Sequence, residues 1–114
     1  MPPTAQDRIL DILESINEIG KVLGHMGIEQ FQADTLRRMA TERYLEIVCE
    51  ATRNLPDEIK TQAPNIEWQK IIDFGNRLRH AYHATDADKV WDVIQNHLPP
   101  LKSVVESHIR AADK

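Results

Sequence analysis

The stretch GNRLRHAYH, residues 75 to 83, gathers Asn76, Arg77, Arg79, His80, Tyr82 and His83 within nine positions. Histidine changes charge near neutral pH, so His80 or His83 can act as a general acid or base. A guanidinium can hold a phosphate and stabilise charge that develops on it. Metal-independent RNA cleavage needs that inventory: a base for the 2′-hydroxyl, an acid for the leaving oxygen, and cations for the phosphate. On a helix, Asn76 and His80 are four apart and share a face, and Arg79 and His83 share the adjacent one. Tyr82 points away from His80 along a regular helix. One such helix is a sparse site. Two of them across a two-fold axis place two copies of His80 and of both arginines around one cleft. The same residues also have a plainer reading. A helix C-terminus favours a cation by about 0.3–1 kcal/mol, so Arg79, His80 and His83 can interact with terminal carbonyls.

The elements that carry this stretch have helical periodicity throughout. In the first segment Ile9, Leu13, Ile16, Ile19 or Gly20, and Leu23 form one stripe, opened by a capping-box pair, Thr4 and Asp7, and closed near Gly24 and Gly27. A second segment runs from about residue 28 to 54, with a stripe of Leu36, Met39 or Ala40, Tyr44, Ile47 or Val48, Ala51 and Leu55 and a possible break near residues 32–34. Pro56 can begin a short helical turn. Asn65 is the expected N-cap of the helix carrying the basic stretch, and Thr85 with Asp88 the expected cap of the next. Pro99-Pro100 should kink or interrupt the final helix. The expected fold is all-α: a single domain over residues 1–114, an up-down bundle of four main helices plus a short one.

The chain of 114 residues has net charge −4, so any surface that attracts nucleic acid must be local. Residues 70–83 are such an island, with Lys70, Arg77 and Arg79 against Asp73. One cysteine, Cys49, excludes an intramolecular disulfide and a cysteine-rich zinc site. No apolar run is long enough to span a bilayer, and the N-terminus lacks the pattern of a secretory signal, so a cytoplasmic location is expected. No metal and no cofactor are expected. Glu42, Glu46 and Glu50 form an i, i+4 ladder that reads as a solvated face; alternatively Glu46 or Glu50 pairs with Arg79 or orients His80. Trp68, Trp91 and Tyr44 read as core residues, and His25, His97 and His108 as surface or helix-end residues.

The segment IIDFGNRLRHAYHATDADKVWDVIQNHLPPLK, with the earlier ATERYLEIVCEA, resembles the HepT-like family of the HEPN superfamily. The resemblance implies a helical bundle that forms homodimers and acts as the RNA-endonuclease toxin of a two-gene toxin–antitoxin system. It implies a nucleotidyltransferase partner of the MNT type, which silences the toxin by transferring AMP to the tyrosine of an R-x4-H-x-Y motif. His80 and Tyr82 match the histidine and tyrosine, and Asn76 the polar position after the arginine. The arginine itself is replaced by Gly75. Arg79 and Arg77 are the nearby substitutes. The catalytic candidates are therefore His80, Arg79 and Arg77, the RNA-phosphate ligands Asn76, Arg77, Arg79 and His83, and the AMP acceptor Tyr82. A catalytically inactive dimer that binds a nucleotidyltransferase remains open from the sequence, as does a protein that binds a nucleotide without cleaving RNA.

Overall fold

Thr4 starts the first helix. Its hydroxyl accepts from the Asp7 amide at 3.1 Å, and the Asp7 carboxylate accepts from the Thr4 amide at 2.9 Å, the reciprocal pair expected from the sequence. These hydrogen bonds hold the Asp7 carboxyl below its usual range. Helix α1 (Ala5–Leu23) buries Ile9, Ile12, Ile19 and Leu23 and ends at Gly24, whose φ of +55° favours glycine.

The computed structural model describes residues 2–80 and 86–112, and every regular element within them is helical. After α1 come α2 (Ile28–Ala33), α3 (Thr35–Arg53), α4 (Asp57–Thr61), α5 (Trp68–Arg79), α6 (Ala87–Asp92) and α7 (Leu98–Ala112), with a π-helical turn over Val93–His97 between the last two. The main helices are α1, α3, α5 and the α6–α7 rod. They share one continuous core, in which Phe31, Leu45, Val48, Ile71, Val90, Leu101 and Val105 are almost fully buried. Burying side chains of this size contributes about 1.5–3 kcal/mol each. This is the expected all-α bundle, with two short helices rather than one.

The break expected near residues 32–34 occurs at Asp34, whose carboxylate accepts from the Arg37 amide at 3.0 Å and caps α3. The expected apolar stripe of α3 is corrected in its first half. Leu36 and Met39 are 81% and 61% exposed, and the buried positions are Thr41, Leu45, Val48, Cys49, Ala51 and Thr52. The buried face of α3 takes in two threonines at helical spacing, so apolar residue type alone points to the wrong side. The expected cap at Asn65 is corrected as well. Helix α5 begins at Trp68, whose indole N–H donates to the Lys60 and Ala63 carbonyls at 3.1 and 3.0 Å, and this anchors residues 63–67 as a turn. Thr85 lies outside the described residues, and the N-cap of α6 is Asp86, which accepts from the Asp88 amide at 2.9 Å.

The interruption expected at Pro99-Pro100 does not occur there: both lie in the first turn of α7, and the departure from α geometry is the π turn just before them. Neither has an N–H, so the carbonyls of Gln95 and Asn96 lose their α-helical donors. The Leu98 amide donates to Val93, five residues back. Val90, Ile94, Leu98, Leu101 and Val105 are buried at spacings of 4, 4, 3 and 4. Those 15 residues exceed the ~14.4 that four α-turns hold, and the wider turn absorbs the excess.

Candidate functional site

Helix α5 is amphipathic, with Ile71, Phe74 and Leu78 buried, and this fixes where its polar residues emerge. Gly75 faces α3. A Cβ built there would overlap the Cβ of Cys49 and lie 3.4 Å from its Sγ. The glycine therefore permits a close approach of α3 to α5, and an arginine at 75 has no room in this packing. Cys49 is buried in that contact, and loss of solvent, reinforced by the Glu46 carboxylate, pushes its thiol up to about 12.

Beside this contact lies a cavity of about 250 Å³ between α1, α3 and α5. Arg8 and Asp11 reach it from the start of α1, and Arg43, Glu46, Glu50 and Arg53 from the outer face of α3. Asn76 and Arg79 enter from α5. The start of α1 thus lies beside the C-terminal half of α3, the antiparallel arrangement expected of an up-down bundle.

Both terminal nitrogens of Arg79 have partners. Its Nη1 lies 3.1 Å from Glu50 Oε2, and its Nη2 donates to Asn76 Oδ1 at 2.5 Å. The alternative in which a carboxylate of the α3 ladder pairs with Arg79 is realised by Glu50. Glu46 pairs instead with Arg43 at 3.3 Å. Glu50 Oε2 also lies 3.9 Å from Arg53 Nη1, so a single carboxylate oxygen sits between two guanidiniums. Arg79 and Glu50 side chains are 43% and 46% exposed. An ion pair in such a setting contributes about 0.2–1 kcal/mol and little holds it shut.

His80 is exposed at the C-cap of α5, and its amide donates to the Asn76 carbonyl at 3.2 Å. It follows Arg79 in the chain but is not among the residues lining the cavity. Asn76 meets Arg79 through its side chain and His80 only through its backbone. Arg77 projects elsewhere, into a groove between α5 and α6 that Lys70, Asp73, Asp88 and His97 also line. The structure therefore unites Asn76 and Arg79, places His80 at the helix end beside them, and separates Arg77. Tyr82 and His83 lie outside the described residues. Among the described residues no group of three or more His, Cys, Asp or Glu could hold a metal, and no helix is long and apolar enough to cross a membrane.

Arg8, Arg43 and Arg53 were absent from the sequence candidates. The last two recur with Glu46 and Glu50 on one face of α3, at positions 43, 46, 50 and 53, a spacing visible in the sequence. Arg8 is brought in by the antiparallel pairing alone.

The buried thiol makes a prediction. The unfolded thiol ionises near 9.0, whereas the folded one holds its proton to about 12. A group whose folded value is raised in this way stabilises the neutral form. Its contribution is intact below the unfolded value and is lost as pH rises between the two, by about 1.4 kcal/mol per unit. Denaturant titrations above about pH 9 should show a steeper loss of stability in the wild type than in Cys49→Ala; parallel curves would refute this.

A family model described as Ribonuclease HepT-like matches residues 12–108. The chain is 31% identical over 106 residues to "Probable ribonuclease HepT" of Thermococcus cleftensis, covering 93% of this chain and 96% of that protein. It is 30% identical over 98 residues to a "Putative RNase" of Methanocaldococcus jannaschii, covering 86% and 90%. A "Putative RNase" of Caldanaerobacter subterraneus is 30% identical over 81 residues, covering 71% and 72%. No solved structure matches the chain.

Proposed function

Because the chain belongs to the HepT-like ribonuclease family, we propose that it is an RNA endonuclease that works without a metal, His80 moving protons and Arg79 holding the phosphate. The observation that carries this reading is the position of Arg79. Residue 79 stands one helical turn after residue 75, so both lie on the same face of α5. A guanidinium therefore still reaches the side of α5 where the family places its arginine, from one turn further along. Asn76 orients it through Oδ1. Arg77, in its separate groove, is suited to a neighbouring phosphate rather than the scissile one.

The active form is a homodimer in this reading, because one protomer supplies one histidine and a single arginine next to it. Helix α5 alone has little apolar surface for an interface, since Ile71, Phe74 and Leu78 face the core. In this reading the dimer still forms mainly on the helix of residues 66–83, and the outer face of α3 adds apolar surface, since Leu36 and Met39 are exposed and run toward Arg43 and Ile47 at the rim of the cavity. The protein would then be the toxin of a two-gene system, with an MNT-type nucleotidyltransferase as partner and Tyr82 as AMP acceptor. AMP there adds a negative charge near the arginines and competes with RNA.

Gly75 also favours a second reading, a dimer that has lost cleavage and retains only binding. A cleavage assay on single-stranded RNA in EDTA, across protein concentrations, decides between them. Cleavage that rises more steeply than linearly with concentration supports the composite nuclease; no cleavage at any concentration leaves the binding module. Incubation with the partner nucleotidyltransferase and ATP, followed by peptide mass mapping, should add AMP to Tyr82; an adduct elsewhere or none rejects that assignment.

A further inference from the structure

Glu50 sits where an anion should sit. One oxygen, Oε2, is shared between Arg79 at 3.1 Å and Arg53 at 3.9 Å, and the other, Oε1, accepts from Asn54 Nδ2 at 3.2 Å. Two guanidiniums converging on one oxyanion is how arginines bind phosphate. The pair is not part of the core, since both Arg79 and Glu50 are nearly half exposed at the mouth of the cavity. The fold does not need it, but the site is filled by it.

We propose that Glu50 is a built-in stand-in for substrate phosphate, occupying the Arg79–Arg53 seat in the free protein and yielding it only to a polynucleotide. This rests on the reading of Arg79 as a phosphate ligand. A small anion must displace the carboxylate and then remain beside its charge, with nothing else to hold it. A polynucleotide brings neighbouring phosphates to the surrounding arginines and releases counterions as it binds. It can therefore take the seat where inorganic phosphate cannot. Glu50 thus selects polymer over monomer and keeps the arginines neutralised when no RNA is present. A carboxylate that merely aims Arg79 is a different device, because glutamine at 50 would still accept from the guanidinium.

The experiment uses the full chain as wild type, Glu50→Gln, Glu50→Ala and Arg79→Ala. The probe is a labelled single-stranded RNA carrying 2′-O-methyl sugars, which cannot be cleaved through the 2′-oxygen, and the competitor is inorganic phosphate. Both Glu50 variants should bind the RNA about twofold to fivefold more tightly, the change matching a half-exposed ion pair. Their log–log salt dependence should steepen toward the full ~0.7 of one phosphate contact on a single strand, because no displaced carboxylate then takes up a cation as the RNA releases its own. Inorganic phosphate should compete at lower concentration than with wild type. Equal or weaker RNA binding by both variants, or an unchanged salt slope, overturns the proposal. If wild type binds RNA and Arg79→Ala lowers its slope, the phosphate-ligand reading survives that outcome and only the role of Glu50 is lost. If no form binds RNA, both fall.

Discussion

Replacing His80 by alanine should lower the rate of RNA cleavage by about 10²–10⁴-fold, the range associated with loss of a positioned general acid or base. The same change should leave stability within roughly 0.5 kcal/mol, because an exposed side chain away from caps and buried partners has little to lose. His80 is exposed, and its part in capping α5 is made by the backbone amide, which alanine retains. Binding of an uncleavable RNA should persist, since Arg79 is untouched. Arg79→Ala should give the converse pattern, with weaker binding and a salt dependence flatter by less than the ~0.7 of one full phosphate contact on a single strand, since the carboxylate that RNA displaces offsets part of it. Single-turnover cleavage and salt titrations on both variants test the division of labour. His80→Ala cleaving at the wild-type rate would remove the histidine from the chemistry.

The second large effect is on stability. Glycine-to-alanine changes inside helices normally stabilise, by about 0.5–1 kcal/mol. Gly20 of α1 has nothing within 4 Å of where its Cβ would lie, so Gly20→Ala should behave that way. Gly75→Ala should do the opposite and destabilise by about 1–3 kcal/mol, because the new methyl overlaps backbone-attached atoms of α3 rather than a movable side-chain tip. Thermal midpoints of the two variants should shift in opposite directions. Cys49→Ala should not rescue Gly75→Ala, since the overlapping atom is the Cβ that alanine keeps. Cys49→Gly should partly rescue it, with a coupling energy of about 0.5–3 kcal/mol in a double-mutant cycle. Two glycine variants that shift together would mean that α3 and α5 separate freely.

Much of this was legible in the chain itself, and the exceptions have physical causes. The capping box at Thr4 is readable because both halves of it lie within four residues. The proline pair announced a disturbance, but its form as a π turn depends on how Ile94, Leu98 and Leu101 must face the core. Residue type points Leu36, with Met39 or Ala40, to the interior, but burial is decided by which face of α3 meets α1 and α5. Thr41 and Thr52 occupy that interior instead. At the site, Asn76 and Arg79 stand out by residue type, but spacing pairs Asn76 with His80, whereas its side chain meets Arg79. The pairing with Glu50 lay within the alternative to a solvated ladder, with Glu46 and a role toward His80 equally open, because it joins residues 29 apart and depends on the contact at Gly75. Arg8 could not be picked out, since only the antiparallel seating of α1 carries it to the cavity.

The Gly75–Cys49 contact also constrains how such a sequence can change. Arginine at 75, the residue of the motif that the sequence resembles, cannot be introduced by one substitution at 75 while α3 and α5 pack as they do. The path to it runs through an overpacked and less stable form, or through a prior glycine at 49 that weakens α3. Either intermediate is disfavoured before any catalytic advantage can be felt. Variation is therefore channelled away from position 75 and toward the rim of the cavity, where Arg79 already stands and where exposed side chains can be exchanged at little cost to the fold.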